Sequence, residues 1–334
     1  MPTKLTGPQR RLVGWLGSVL LIAAWAAIPL LAGRSTVDLF VFAALYAIAG
    51  LGVAFLLGQC GIVSLAQNVF FGIGAYSTAY GATALGWPAP ASMITGMAIS
   101  GCIAAAVGAP VLKLSGYFLA LATLALAIIG HVLFLEWEWL TGGTLGIGGV
   151  PPISLFGYSF NTPLRFYYLV WPIVLIVILI HRNVLNSRTG IAMRAMRDAP
   201  SAAAVLGVNI ARLKEKVFIS SALLGSFAGS LFAHYVSFVS VDSFGVDRSI
   251  NFLLIAVLGG ARTIAGPVLG ALFVTALPNL LSRLGDVHAL LFAAFLIAAV
   301  IFLPGGFGGA IERLWKAFAR PSHSAQSLTA RRGS

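Results

Sequence analysis

Side chains able to act as acids, bases or nucleophiles are scarce in this sequence, and their spacing is wrong for catalysis. The 334 residues include 5 His, 9 Asp plus Glu, and 2 Cys. Glu136 and Glu138 stand two residues apart, do not share a helix face, and make a poor general acid/base pair. His131 and His234 are the candidates for a proton relay. Each falls near the expected outer end of an apolar stretch, where an interfacial histidine satisfied by its neighbours is the simpler reading. Cys60 and Cys102 are too few for a disulfide framework or a Cys-rich metal site and read as inert. No Gly-Lys dipeptide occurs, so there is no loop to cradle nucleotide phosphates, and neither His-Glu-x-x-His nor Gly-x-Ser-x-Gly is present. The expectation is a chain that is not an enzyme and binds no metal or cofactor itself.

Neutral polar residues are concentrated instead where apolar stretches break. LLGQCGIVSLAQNVFFGIGAY brings Gly58, Gln59, Gly61, Ser64, Gln67 and Asn68 close together, and AVLGGARTIAGPVLGALF places Gly259, Gly260, Gly266 and Pro267 between apolar flanks. Polar backbone survives at membrane depth only where it is buried in protein or lines a wet cavity. A discontinuous helix offers free N–H groups at its positive end, which can hold a carboxylate without lysine or arginine and so suits a neutral or zwitterionic solute. The same residues also suit close helix packing and interhelical hydrogen bonds. The two breaks read as corresponding positions of a weak internal repeat.

These breaks sit in a chain that is 59% apolar and 9% charged, against roughly 45–50% and 25% in soluble domains. Such a composition predicts an all-α polytopic membrane protein. Apolar segments are expected at 12–32, 37–58, 67–86, 91–112, 115–135, 166–181, 217–240, 249–260, 263–281 and 287–303, about ten crossings that include broken or half helices. With the N-terminus cytoplasmic, the inner side carries 17 of the 21 Lys and Arg, and the outer side holds six of the nine acids. That asymmetry follows the positive-inside rule and makes it a better account of the +12 charge than nucleic-acid binding. The organisation expected is a cytoplasmic N-terminus at 1–11, a membrane domain at 12–303 interrupted by a cytoplasmic loop at 182–216, and a basic cytoplasmic tail at 304–334. Apart from flanking residues, the spans hold no Asp, Glu, Lys or Arg, which argues against proton coupling within the chain.

The loop HRNVLNSRTGIAMRAMRDAPSAAAVLGVNIARLKEK carries seven cations and two acids and is too polar to cross. Asp198 with Pro200 predicts a helix start and Gly207 a stop, giving a helix of about eight residues lying on the membrane surface. A small-residue helix of this kind fits a groove on a soluble partner, with Arg188, Arg194, Arg197 and Arg212 meeting acidic edges or lipid headgroups.

Ser201-Ala202-Ala203, three residues, then Gly207 resembles the Glu-Ala-Ala-x-x-x-Gly loop by which ABC importer permeases dock on their ATPase, with serine in place of the glutamate. The wider phrase SRTGIAMRAMRDAPSAAAVLGVNIARLKEKVFISSALLGSFAGSLFAHYVSFVSVDSF, with GQCGIVSLAQNVFFGIGAYSTAY, LKLSGYFLALATLALAI, LTGGTLGIGGVP and INFLLIAVLGGARTIAGPVLGALF, is similar to the permeases of branched-chain amino acid importers from about residue 40 to 305. Gln59-Cys60 and Gln67-Asn68 depart from the commoner wording. The resemblance implies a type II importer fold in the bacterial inner membrane, a second related permease, two ATPase subunits that use ATP and Mg, and a periplasmic solute-binding protein. It implies docking through Arg194, Arg197, Ala202, Ala203 and Gly207, and a pathway at Gln59, Ser64, Gln67, Asn68 and Thr123. Permeases for urea, short amides or aromatic acids are similar enough to stay open as alternatives, as does a stand-alone facilitator or ion-coupled carrier. The glycine-rich external segment TGGTLGIGGVPP is expected to make tight turns and is a candidate surface for the binding protein.

Overall fold

Helices dominate because long apolar runs in lipid must satisfy every backbone group internally. The computed structural model describes residues 33–155, 157–281, 288–302 and 305–310, together with Pro29. The expected N-terminus at 1–11, the expected tail at 304–334 apart from residues 305–310, and the first crossing apart from Pro29 lie outside the described residues.

Helix α1 (Arg34–Ala54) runs into a π-helical turn at Phe55–Gln59, and after an irregular stretch α2 (Gln67–Thr83) follows. Helices α3 (Ala89–Val111), α4 (Gly116–Glu136) and the one-turn α5 (Glu138–Thr141) come next. Short strands β1 (Ile147–Gly148), β2 (Ser154–Leu155) and β3 (Tyr158–Ser159) precede α6 (Pro163–Asn186). Helices α7 (Arg188–Asp198) and α8 (Pro200–Val205) lead to α9 (Ile210–Val236) and β4 (Phe238–Val239). The chain ends in α10 (Val246–Gly259), α11 (Gly266–Leu281) and α12 (His288–Phe302). Among the described residues, the continuous Arg34–Gln59 helix, α3, α4, α6 and α9 are long and apolar enough to cross a membrane, and α11 is a shorter apolar helix. The protein is a polytopic helical membrane protein.

Burial separates inner from outer helices. In α1 and α9, 78% and 72% of the apolar stretch lies inside the bundle, against 22–28% in α3, α4 and α6. The outer helices bury one stripe each. In α3 it is Ser92, Gly96, Ser100, Ala104 and Gly108, a small-residue seam that lets another backbone approach. A Cβ on Gly74 or Gly229 would collide with the carbonyls of Ser226 and Phe71, so α2 and α9 pack backbone against backbone. Phe71, Phe232, Phe244 and Phe252 fill the core between them, with Phe71 centred 5.3 Å from both Phe232 and Phe252.

Helices α1 and α9 run antiparallel with matched ends. The Tyr235 hydroxyl donates to Asp38 where α1 begins and α9 ends. Midway, the Gln67 amide donates to the carbonyls of Ala49 and Ser221, each at 3.1 Å. At the same end of the bundle, β1 pairs antiparallel with β4, setting Ile147 opposite Val239. The turns there use Gly142, Gly143, Gly146 and Gly149 at φ of 73°, 56°, 69° and 76°, conformations that only glycine adopts cheaply.

The interval 182–216 is more helical than its polarity suggests. Charge keeps residues out of lipid without opposing a helix, so α6 runs on to Asn186, α9 starts already at Ile210, and α7 forms between them. The Asn209 side chain accepts from Arg212 N–H at 3.0 Å and starts α9. Helix α8 spans six residues rather than about eight. Asp198 does not cap it, because its carboxylate is engaged by Arg197. Gly207, at φ +85°, closes it: Val208 N–H donates to Ala203 and Gly207 N–H to Ala204, both at 3.0 Å, in a Schellman arrangement.

Candidate coupling site and solute pathway

Gly61 ends the first helix at φ +68°, and its N–H returns to Leu57 at 3.1 Å while Ile62 N–H bonds Leu56 at 3.1 Å. The chain then climbs to α2 held by its neighbours. Leu65 N–H donates to the Thr123 hydroxyl at 3.0 Å, Ala66 N–H to Ser64 at 3.4 Å, and Asn68 N–H to Ser249 at 3.0 Å. Hydroxyls thus occupy N–H groups that the broken-helix reading offers to a solute carboxylate.

All five sequence-derived pathway residues are buried, with Asn68 and Thr123 fully enclosed. They do different work. Gln67 also accepts from the Ser221 hydroxyl at 3.1 Å, so its amide joins α1, α2 and α9. The Asn68 amide donates to Phe244 at 3.0 Å and Gly245 at 3.3 Å, and its oxygen accepts from Ser249 at 2.8 Å. Thr123 donates to Ala120 at 3.0 Å while holding Leu65. Gln59 and Ser64 lie at the break itself.

The second break turns at Gly260, φ +95°, and the Thr263 hydroxyl donates to the Gly260 carbonyl at 2.7 Å. The two breaks touch: a Cβ on Gly58 would collide with the Ala261 carbonyl. Sequence reading paired them as a repeat, while the contact between them is a tertiary fact.

The basic loop grips this junction. Arg197 donates Nη1 to the Gly58 carbonyl at 2.5 Å, and its Nε and Nη2 bind the Asp198 carboxylate at 2.8 and 3.2 Å. Arg194 donates Nη1 to Leu185 at 3.0 Å, near the end of α6. Both carbonyls sit at the negative ends of helix dipoles, where a guanidinium is favoured. The hydrogen bond from Arg197 holds the Asp198 carboxyl below its ordinary range, helped by the charge of Arg262 on the second break.

Of the expected docking residues, Arg194 and Arg197 therefore face the bundle, and Ala203 is buried against it. Ala202 and Gly207 are exposed. The most prominent residues of the loop, Val205 and Leu206 at 88% and 82% exposure, were not singled out from sequence. Two adjacent branched apolar residues before a helix-stopping glycine are the signal that would have found them.

Apolar helices broken at two points that touch, the first of them held by Arg197 of a basic helical loop, suit a membrane transport protein of the permease class. The sequence profile of the branched-chain amino acid transport system permease component family matches residues 35–303, and the chain belongs to that family. It is similar to the high-affinity branched-chain amino acid transport system permease protein LivM of Escherichia coli K12, 32% identical over 321 residues that cover 86% of this chain and 72% of that protein. The LivM permease of Salmonella typhimurium LT2 is 31% identical over 326 residues, covering 87% and 74%. A probable LivM permease of Methanocaldococcus jannaschii is 26% identical over 227 residues, covering 64% and 66%. No solved structure matches the chain significantly. Family membership makes it a transport subunit, one component of a larger system.

Proposed function

We propose that this chain is the membrane-spanning permease subunit of an ATP-driven importer that moves branched-chain or related amino acids delivered by a periplasmic binding protein. Its relatives' names support that substrate class. The observation that carries the coupling is the bond from Arg197 to Gly58, which connects the loop bearing α8 to the first helix break, itself in contact with the second. Two ATPase subunits use ATP and Mg and bind the exposed side of α8, led by Ala202, Val205, Leu206 and Gly207. Their closure moves α8 as a lever. Ala203, Arg194 and Arg197 pass the movement to α6, α1 and the second break, and the permease halves rock about the pathway.

Gln59, Ser64, Gln67, Asn68 and Thr123 border that pathway at the first break, with the tied amides of Gln67 and Asn68 holding its walls. The proposed architecture is type II, with ten crossings in the bacterial inner membrane and both termini cytoplasmic. Residues 1–11 form the inner N-terminus, 12–303 the membrane domain, 182–216 the coupling loop and 304–334 the basic tail. A second related permease completes the pathway, and the loop's cations meet lipid headgroups. The turns at 142–149 are offered to the binding protein.

The test is reconstitution of the complete complex in vesicles, with ATP-dependent uptake of leucine, isoleucine and valine as the expected result. Uptake of urea or aromatic acids in their place would move the assignment to those solutes. Accumulation against a gradient by the chain alone would overturn it.

A further inference from the structure

A cavity of about 470 Å³ opens beside the outer half of α1, walled also by α10, α11 and α12, away from the Arg197 grip. Two ionic groups of opposite sign line it, Asp38 and Arg248, and they do not pair with each other. Each is held from one side. Asp38 accepts through Oδ1 from the Tyr235 hydroxyl. Arg248 donates Nε to Ser243 at 3.3 Å and Nη1 to the Tyr46 hydroxyl at 2.9 Å, with its guanidinium carbon 5.1 Å from the Tyr46 ring centroid. Among the described residues no protein group engages Oδ2 of Asp38 or Nη2 of Arg248. The Thr275 hydroxyl, on the same wall, is buried and has no partner among the described residues. Phe42, Phe252 and Val274 make adjoining surface apolar.

A cavity with one fixed cation, one fixed anion and an apolar lining is neutral overall and strongly dipolar. An ion of single charge leaves one of the two wall charges uncompensated at a half-desolvated site, whereas a molecule with both charges close together satisfies each. We propose that this cavity is a binding site for a small zwitterion of the α-amino acid class, with Arg248 meeting the carboxylate and Asp38 the ammonium. The inference deepens the amino acid reading above and rests on it. Arg248 presents a planar donor edge that matches a carboxylate, and its stacking on Tyr46 fixes that edge before the ligand arrives. The Thr275 hydroxyl accepts from the ammonium, and the solute side chain packs on the aromatic wall.

The test is equilibrium binding of radiolabelled leucine to the assembled complex in lipid nanodiscs without the binding protein. Leucinamide, which lacks the carboxylate, and 4-methyl-2-oxopentanoate, which lacks the ammonium, serve as competitors. Leucine is expected to compete better than either by about tenfold or more, and Asp38→Asn and Arg248→Gln are each expected to weaken binding by about tenfold or more. Tyr235→Phe removes the hydrogen bond to Asp38 but keeps both charges, and it is expected to bind within roughly threefold of the parent. No leucine bound by the parent, competition by either analogue as strong as that of leucine, or unchanged binding in both charge variants would each overturn the site. Uptake by the complex with its binding protein is read in parallel. Uptake of leucine alongside any of those results removes the site alone, whereas no amino acid uptake at all removes the substrate reading itself.

Discussion

Arg197, on the last turn of α7, donates Nη1 to the carbonyl oxygen of Gly58, 139 positions earlier in the chain. One guanidinium therefore binds a surface loop to the end of a buried helix and, through the Gly58 contact with Ala261, to the second break. A hydrogen bond from a charged group is worth roughly 1.5–3 kcal/mol. Arg197→Ala is expected to cut ATP-driven uptake by about tenfold or more while the purified chain remains folded, and Arg197→Lys to recover only part, since a point charge cannot bind Gly58 and Asp198 together. Uptake and ATPase rates in the reconstituted complex decide this, and normal uptake in Arg197→Ala counts against the coupling route.

Asp198 plays the lesser part in that pair, because its side chain is 64% exposed while Arg197 is 18% exposed. Its carboxyl is held below the ordinary value of 3.8 by the Arg197 hydrogen bond, then by the charges of Arg197 and Arg262. A depressed carboxyl stabilises the folded state above its unfolded value and loses that contribution as pH falls through the folded value. Between neutral pH and the ordinary aspartate range, the pair is expected to hold. Asp198→Asn should leave melting temperature at neutral pH almost unchanged and lower uptake less than Arg197→Ala, as melting curves and transport assays on both variants will show.

Gly207 stands at φ +85° with nothing within 4 Å of the position a Cβ would take. The cost of substitution there is conformational and not steric. Gly207→Val should disfavour the closed end of α8 by roughly 1–3 kcal/mol and uncouple ATP hydrolysis from uptake in a folded permease. Gly207→Asn, a residue that tolerates the left-handed region, should keep more of the coupling. The comparison is solute-stimulated ATPase activity against uptake in the two variants, and full coupling in Gly207→Val would remove α8 from the docking assignment.

Val205 and Leu206 expose apolar side chains at the tip of the loop and support little of the permease core. Replacing both with Asp is expected to prevent co-purification of the ATPase subunits while leaving the permease melting temperature within about 2 °C. Retained ATPase association would place the docking surface elsewhere.

Gln67 and Asn68 test packing in the same membrane. Gln67→Leu leaves the Ala49 and Ser221 carbonyls and the Ser221 hydroxyl without their partner, at a cost of roughly 1–3 kcal/mol for a buried unpaired group. A double-mutant cycle between Asn68→Ala and Ser249→Ala should show positive coupling, because the Ser249 hydroxyl donates to the Asn68 side-chain oxygen. Additive melting shifts would refute that pairing. Gly101→Ala is the contrasting case. Its added Cβ meets only Leu223 at an ordinary 3.4 Å and improves helix propensity, so stability should hold or rise.

Composition and hydropathy were enough to read the membrane class, because nothing but helices or closed barrels satisfies backbone polar groups in lipid, and enough motifs survive in order to reveal the family. Both breaks and the Gly207 stop were legible for a local reason: glycine at positive φ and polar residues between apolar runs leave a mark within a few positions. The helices at 188–198 and 210–216 were not, because hydropathy reports the solvent a segment tolerates and says nothing of its backbone conformation there. The tertiary structure alone decided which polar groups already have partners. Gln67 meets Ser221 and Asn68 meets Ser249 across separations of 154 and 181 positions, and Asp38 and Arg248 come to face one cavity without pairing. Such meetings depend on how helices rotate and cross when their small-residue seams close together. A one-dimensional pattern names the helix face that packs, but it does not name the residue waiting on the other side.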